Sequence, residues 1–265
     1  MRLADLEPPE PIRAGGEVLA VRRLGAGPRL VLLHGGPGLD HHLLLPLALP
    51  LAGRFEVWLP DLPGHGATPG TPPGLRQIVS RLGRFLAEVG PAAIGGHSLG
   101  AWLVRKILRE QLVQPRAAIL LCPPGPLRGV HARRAARLRQ AEDEAALRAA
   151  LREEVAMGRP LPPLVEEAIA ATVLRPPQAY ARLLEELRPL LQSAVPPIDP
   201  RCPTLVLGGA LDPVAPPALL EAVAAATRGA TLTILPGTGH YPWAADPRPC
   251  VGAIEAFLAL TDAAG

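Results

Sequence analysis

A serine, an aspartate and a histidine, met in that order along the chain, could together form an acyl-transfer centre. Ser98 lies in Gly96-His97-Ser98-Leu99-Gly100, between the apolar run Ala92-Ala93-Ile94 and the helical spacing of Trp102, Leu103, Val104, Ile107 and Leu108. A strand passing through a tight turn into a helix lifts such a hydroxyl into a cleft, and flanking glycines leave room for the crowded backbone. By itself the pentapeptide reads equally well as a glycine-rich turn in a chain with 27 glycines. The partners decide between the two readings. A serine hydroxyl is a poor nucleophile until a histidine takes its proton, and the histidine needs a carboxylate to hold its tautomer and stabilise the imidazolium.

Behind a nucleophile presented on such a turn, the acid and then the base follow along the chain. Two histidines come after Ser98. His131 falls in an Arg- and Ala-rich helical stretch, whereas His240 falls in Gly237-Thr238-Gly239-His240, straight after the strand-like Leu232-Thr233-Ile234-Leu235. His240 is therefore the candidate base. Three aspartates lie between Ser98 and His240. Asp143 is in the helical stretch, Asp199 precedes the strand-like Thr204 to Leu207, and Asp212 follows that strand. Active sites of open α/β sheets gather at the carboxyl ends of strands, so Asp212 is the candidate acid.

The elements that must carry these groups are legible on either side. Glu17 to Arg23 alternates as a strand, and Arg29 to Leu33 is a short apolar run of the kind buried in a parallel sheet. Phe55 to Leu59, the run before the serine turn, Ala117 to Leu121, Thr204 to Leu207 and Thr231 to Leu235 supply further strands. Apolar residues at Leu75, Ile78, Val79, Leu82, Leu86 and Val89 predict a helix that Gly90-Pro91 stops. Other helices are expected from Leu99 to about Val113, from Pro217 to about Ala226 and from Val251 to Leu260. Leu43 to Leu51 should include a short one. Between about Pro126 and Pro197 the alternation breaks. Three helical patterns, His131 to Met157, Leu164 to Leu174 and Gln178 to Leu191, are punctuated by prolines. The expected organisation is a core of residues 1–125 and 196–265 with a helical cap at 126–195.

Asp61-Leu62-Pro63-Gly64-His65-Gly66 and His34-Gly35-Gly36-Pro37-Gly38 complete the set of motifs, with Asp246-Pro247 after Gly239-His240. Together with the serine turn they resemble the α/β-hydrolase superfamily, and His34 to Gly38 is similar to the HGGPG loop of its proline iminopeptidase group. Leu99, Thr68 and Asp246 stand where that group usually carries tryptophan, serine and glutamate. The resemblance implies an α/β-hydrolase fold, a mainly parallel sheet flanked by helices with a cap insertion. It also implies that the Gly36 N–H pairs with the N–H of Leu99 as an oxyanion hole, where each donor is worth about 10²–10³ in rate. His34 is expected to orient the loop, and Asp61 to bind backbone N–H groups in a turn.

The composition narrows the function classes. At 265 residues and 48% hydrophobic, the chain can bury a substantial core. No apolar run reaches the roughly 18 residues needed to cross a membrane, and the first residues lack a signal-peptide core, so a cytoplasmic protein is expected. Cys122, Cys202 and Cys250 have neither zinc nor redox-pair spacing and read as reduced thiols. The net charge of +3, carried by arginines spread along the chain, comes with no nucleic-acid motif. The basic segment Arg128, Arg133, Arg134, Arg137 and Arg139 reads as a solvated helix face rather than a site for an acidic substrate. The expected enzyme is a serine hydrolase needing no cofactor or metal, acting on a short peptide or small molecule. By resemblance it would remove an N-terminal residue, preferably proline, with Glu153, Glu154, Glu166, Glu167, Glu185 or Glu186 as carboxylates able to hold the α-ammonium. A carboxylesterase for small acyl esters is the alternative, and a non-catalytic ligand-binding protein on the same fold a third reading.

Overall fold

The computed structural model describes residues 2–125, 143–174, 177–190 and 193–263. Eight strands form one sheet: β1 (Glu10–Ala14), β2 (Glu17–Leu24), β3 (Arg29–Leu33), β4 (Glu56–Pro60), β5 (Ala93–His97), β6 (Ala117–Leu121), β7 (Thr204–Gly209) and β8 (Ala230–Leu235). Their order is β1-β2-β4-β3-β5-β6-β7-β8, and only β2 runs against its neighbours. This is the α/β-hydrolase architecture expected from the motifs. The parallel strands β3 to β7 are almost wholly buried on both faces, and their alternation splits the core in two. Val31, Leu33, Ala118 and Leu120 face one apolar cluster, while Leu30, Leu32, Ala117, Ile119 and Leu121 face the other.

Helices α1 (Leu45–Leu51), α2 (Leu75–Val89), α3 (Leu99–Arg109), α4 (Glu144–Ala156), α5 (Pro163–Ala171), α6 (Ala181–Leu190), α7 (Pro217–Ala225) and α8 (Arg248–Ala263) cover the sheet. Helix α2 has the expected limits because its apolar residues share one face and Gly90, at φ 62°, ends it in the left-handed region. Helix α3 stops at Arg109 rather than near Val113: Gln111 takes φ 54°, which breaks the helical path. Strand β1, absent from the sequence reading, pairs antiparallel with β2 from Glu10↔Val21 to Ala14↔Glu17.

Between β6 and β7 the described residues form helices and no strand longer than a single bridge at Ile198. The expected helix from His131 lies outside the described residues up to position 142, as do His131, Arg128, Arg133, Arg134, Arg137 and Arg139. Its described part begins at Glu144, where the Asp143 carboxylate accepts the Ala146 N–H as an N-cap. Leu151, Val155, Val165, Ala168 and Ile169 of α4 and α5 join the apolar cluster that holds Leu39, Leu43 and Trp243. Tyr180, Leu183 and Leu187 join the opposite cluster with Leu75, Ile78 and Val79. These helices share both cores with the sheet and have no separate core of their own among the described residues. No helix there is long and apolar enough to cross a membrane.

Candidate active site

The serine turn is built by close backbone contact. Ser98 has φ 52° and ψ −115°, a conformation L-residues rarely adopt, and its N–H is held by Leu121 O at 2.9 Å. A Cβ on Gly96 would sit 2.3 Å from the carbonyl carbon of Gly100, and one on Gly100 would sit 2.2 Å from Leu33 O. Only glycine fits either position, which accounts for the pattern Gly-x-Ser-x-Gly. Ser98 is buried, and its hydroxyl makes no hydrogen bond among the described residues. Helix α3 begins at the next residue, so its positive dipole end lies beside the hydroxyl.

Strand β7 delivers Asp212 and strand β8 delivers His240, both beyond carboxyl ends that the register Gly209↔Leu235 sets level. Leu211 N–H donates to Thr238 O at 2.8 Å and ties the two loops together. His240 Nδ1 lies 2.8 Å from Asp212 Oδ2, and both side chains are buried. The other carboxylate oxygen, Oδ1, accepts the N–H groups of Val214 and Ala215 at 2.7 and 2.9 Å. Burial would raise the Asp212 pKa, but the charge and hydrogen bond of His240 and the two backbone donors bring it down to about 2. Asp212 is therefore ionised and can only accept, so the shared proton sits on His240 Nδ1. That leaves Nε2 as the basic nitrogen, and it is buried with no hydrogen-bond partner among the described residues. Ser98 and His240 are not hydrogen-bonded to each other in this structure.

The other aspartates fall elsewhere, as position along the chain predicted. Asp143 caps α4, and Asp199 pairs with Arg228 on the surface.

The Gly36 loop abuts the serine turn. A Cβ on Gly35 would lie 2.9 Å from His97 Nδ1 and 3.3 Å from Ser98 Cβ. Gly36 itself has φ +139°, outside the range of most side-chain-bearing residues. Neither its N–H nor that of Leu99 has an acceptor among the described residues. His34 orients this loop: its Nε2 accepts the Leu62 N–H at 3.0 Å, so Nδ1 carries the proton and donates to Gly35 O at 2.7 Å. Burial lowers the His34 pKa and keeps that neutral tautomer. Asp61 plays the expected turn role, with His41 N–H on Oδ1 and Ala67 N–H on Oδ2. Thr68 accepts the Ala20 N–H and donates to Asp61 O.

Several residues around the site were not singled out by the sequence. Arg22 donates to His41 Nε2 at 3.0 Å, and His41 Nδ1 donates to Asp61 at 2.8 Å, a buried chain beneath the turn after β4. Asp40 accepts the Val173 N–H at 2.8 Å and so links the segment after α5 to the loop after β3. Polar His41 and His42 in an otherwise apolar stretch were the available signal. Met157 packs on Gly239, where a Cβ would meet its sulfur at 1.7 Å, and Arg159 donates to Gly237 O at 3.1 Å. The segment after α4 thus touches the loop that carries His240.

Cys122, Cys202 and Cys250 are free thiols. Cys122 follows β6 directly, in reach of Asp212. Donor atoms of His97, Cys122 and His240 lie within 4.8 Å of one another. Burial and the hydrogen bond to Asp212 push the Cys122 pKa well above its ordinary value.

With the geometry established, likeness to known proteins can be stated. The chain aligns with the pimeloyl-[acyl-carrier protein] methyl ester esterase of Chromobacterium violaceum at 42% identity over 89 residues, about a third of either chain (33% of this one, 34% of the other). The protein of the same name from Stenotrophomonas maltophilia (strain R551-3) is 31% identical over 254 residues, covering 89% of this chain and 94% of its own. Among solved structures, a hydrolase from Pseudomonas aeruginosa PA01 superposes with a TM-score of 0.75 at 26% identity, covering 97% of this chain and 99% of that one. The sequence profile described as the alpha/beta hydrolase family matches residues 30–253, most of the chain, and the protein therefore belongs to that family.

Proposed function

We propose that the protein is a serine esterase in which His240 deprotonates Ser98, Ser98 attacks an ester carbonyl, and water then releases the acyl-enzyme. The observation that carries this reading is the His240–Asp212 pair at 2.8 Å, which turns the unpartnered Nε2 into a base at the carboxyl edge of the sheet beside the serine turn. In this reading the N–H groups of Gly36 and Leu99 receive the oxyanion. Residues 126–195 act as a cap over the strand ends, supported by the contacts of Met157 with Gly239 and of Val173 with Asp40. Cap contacts of this kind exclude water from the acyl-enzyme.

The substrate class we favour is a carboxylic ester with a small alcohol. The full-length relative named as a methyl ester esterase supports it. Removal of an N-terminal proline, which the HGGPG loop suggested, needs a carboxylate free for the α-ammonium. Among the cap carboxylates considered, Glu166 pairs with Arg152, Glu167 accepts the Leu3 N–H, and Glu186 accepts the Leu75 N–H and pairs with Arg182. A parallel assay of a short-chain p-nitrophenyl ester, a methyl ester and proline β-naphthylamide, with the natural protein and Ser98→Ala, separates the substrates. Ser98-dependent ester cleavage without amide cleavage is expected. Ser98-dependent cleavage of the amide at a comparable rate would move the assignment to an iminopeptidase.

A further inference from the structure

The residue between Gly96 and the candidate nucleophile has an unexpected set of contacts. His97 Nε2 lies 2.7 Å from the backbone carbonyl oxygen of His240, 143 positions away in sequence. A carbonyl only accepts, so His97 carries its proton on Nε2 and donates it. The His97 ring lies 4.8 Å from the His240 ring and 4.8 Å from that of Tyr241, with Trp243 edge-on at 4.9 Å. Trp243 is anchored in turn by its indole N–H on Leu43 O at 2.9 Å. The segment His240 to Trp243 is thus wrapped around one side chain of the serine turn.

We propose that His97 is a positioning residue for the base: through its bond to the His240 carbonyl it fixes the peptide that aims the imidazole at Ser98. The inference rests on the triad reading above and deepens it. Asp212 holds the ring at Nδ1 but does not hold the backbone from which the ring projects. The bond from His97 fixes that backbone from the serine side. Because Ser98 follows His97 directly, one turn sets both the nucleophile and the origin of its base. A peptide rotation that displaced Nε2 by about 1 Å could cost up to about 10²-fold in rate.

Two substitutions separate the donor from the ring. His97→Phe keeps a flat ring among Tyr241 and Trp243 and loses the N–H. His97→Gln loses the ring and places an amide N–H near the Nε2 position. On a p-nitrophenyl ester, His97→Phe should lower kcat by about 10- to 100-fold while KM changes by less than about 3-fold, and His97→Gln should stay within about 5-fold of the natural kcat. A role in packing alone reverses this order, so a His97→Gln protein that loses as much kcat as His97→Phe, with its unfolding midpoint retained, overturns the proposal. Natural kcat in His97→Phe overturns it as well. If His97→Phe does not fold, His97→Leu serves as the donor-free variant with the same expected loss. Ser98→Ala is assayed alongside. Full activity there refutes the triad itself, whereas an inactive Ser98→Ala with an unimpaired His97→Phe refutes the positioning role alone.

Discussion

Replacing Asp212 with asparagine changes few atoms and should silence the site. Oδ1 accepts two backbone N–H groups, Val214 and Ala215, so the asparagine oxygen must stay there, and its NH₂ group then faces His240 Nδ1. Facing a donor, Nδ1 becomes the acceptor and the proton moves to Nε2. The nitrogen that should take the Ser98 proton is then already occupied. The lost charge adds to this. A carboxylate and an imidazolium whose charge centres are about 4 Å apart attract by about 4 kcal/mol at an effective dielectric of about 20. At 1.36 kcal/mol per tenfold in rate, that is about three powers of ten. With the wrong tautomer included, kcat should fall by about 10³–10⁴. The assay is hydrolysis of a p-nitrophenyl ester, with thermal unfolding of both proteins followed by circular dichroism. Asp199→Asn is the control, since Asp199 lies on the surface beside Arg228, and it should keep the natural rate. A folded Asp212→Asn protein retaining more than about a tenth of the natural kcat would refute the reasoning.

Gly100→Ala forces a Cβ to within 2.2 Å of Leu33 O, so the unfolding midpoint should drop by about 5–10 °C, whereas Gly252→Ala, with nothing within 4 Å on helix α8, should leave it unchanged or slightly raised. An unshifted midpoint in Gly100→Ala would show that the turn is looser than described. Asp61 and Asp212 are both held at a pKa of about 2, against an ordinary value of 3.8. A depressed carboxylate pKa stabilises the fold fully above the ordinary value and loses that contribution as pH falls toward 2. Each group should therefore contribute about 2 kcal/mol at neutral pH that disappears between about pH 4 and pH 2. Urea unfolding at pH 7, 4 and 3 should show stability falling over that range, and less steeply in Asp61→Asn. An equally steep fall in that variant would remove Asp61 from the account.

The fold was legible where burial and period coincide. The strands from β3 to β8 are short apolar runs, and α2 is one amphipathic stripe closed by a glycine, so the local pattern and the tertiary demand agree. Ser98, Asp212 and His240 could be proposed together because each follows a strand of the sheet, and a parallel sheet brings all such positions to one edge. Strand β1 was missed for a physical reason. It is an exposed edge containing Pro11, with little apolar alternation, and its pairing with β2 defines it more than its composition does. The chain from Arg22 through His41 to Asp61 joins residues about 20 positions apart at each step, and nothing local in the sequence announces such a bond. The contact of His97 with the His240 carbonyl spans 143 positions and involves a backbone oxygen, which no side-chain pattern encodes. Cys122 reads from the sequence only as a reduced thiol. Its place at the end of β6 was the signal that it would meet the acid.

The central claim is that Ser98 is a nucleophile activated by His240 and Asp212. Its most direct test is covalent labelling of the intact protein with a fluorophosphonate, followed by peptide mass spectrometry. The account predicts one phosphonyl group per chain, on Ser98, with labelling lost in Ser98→Ala and strongly slowed in Asp212→Asn. A folded protein that stays unlabelled, or that carries the label on another residue, would contradict it.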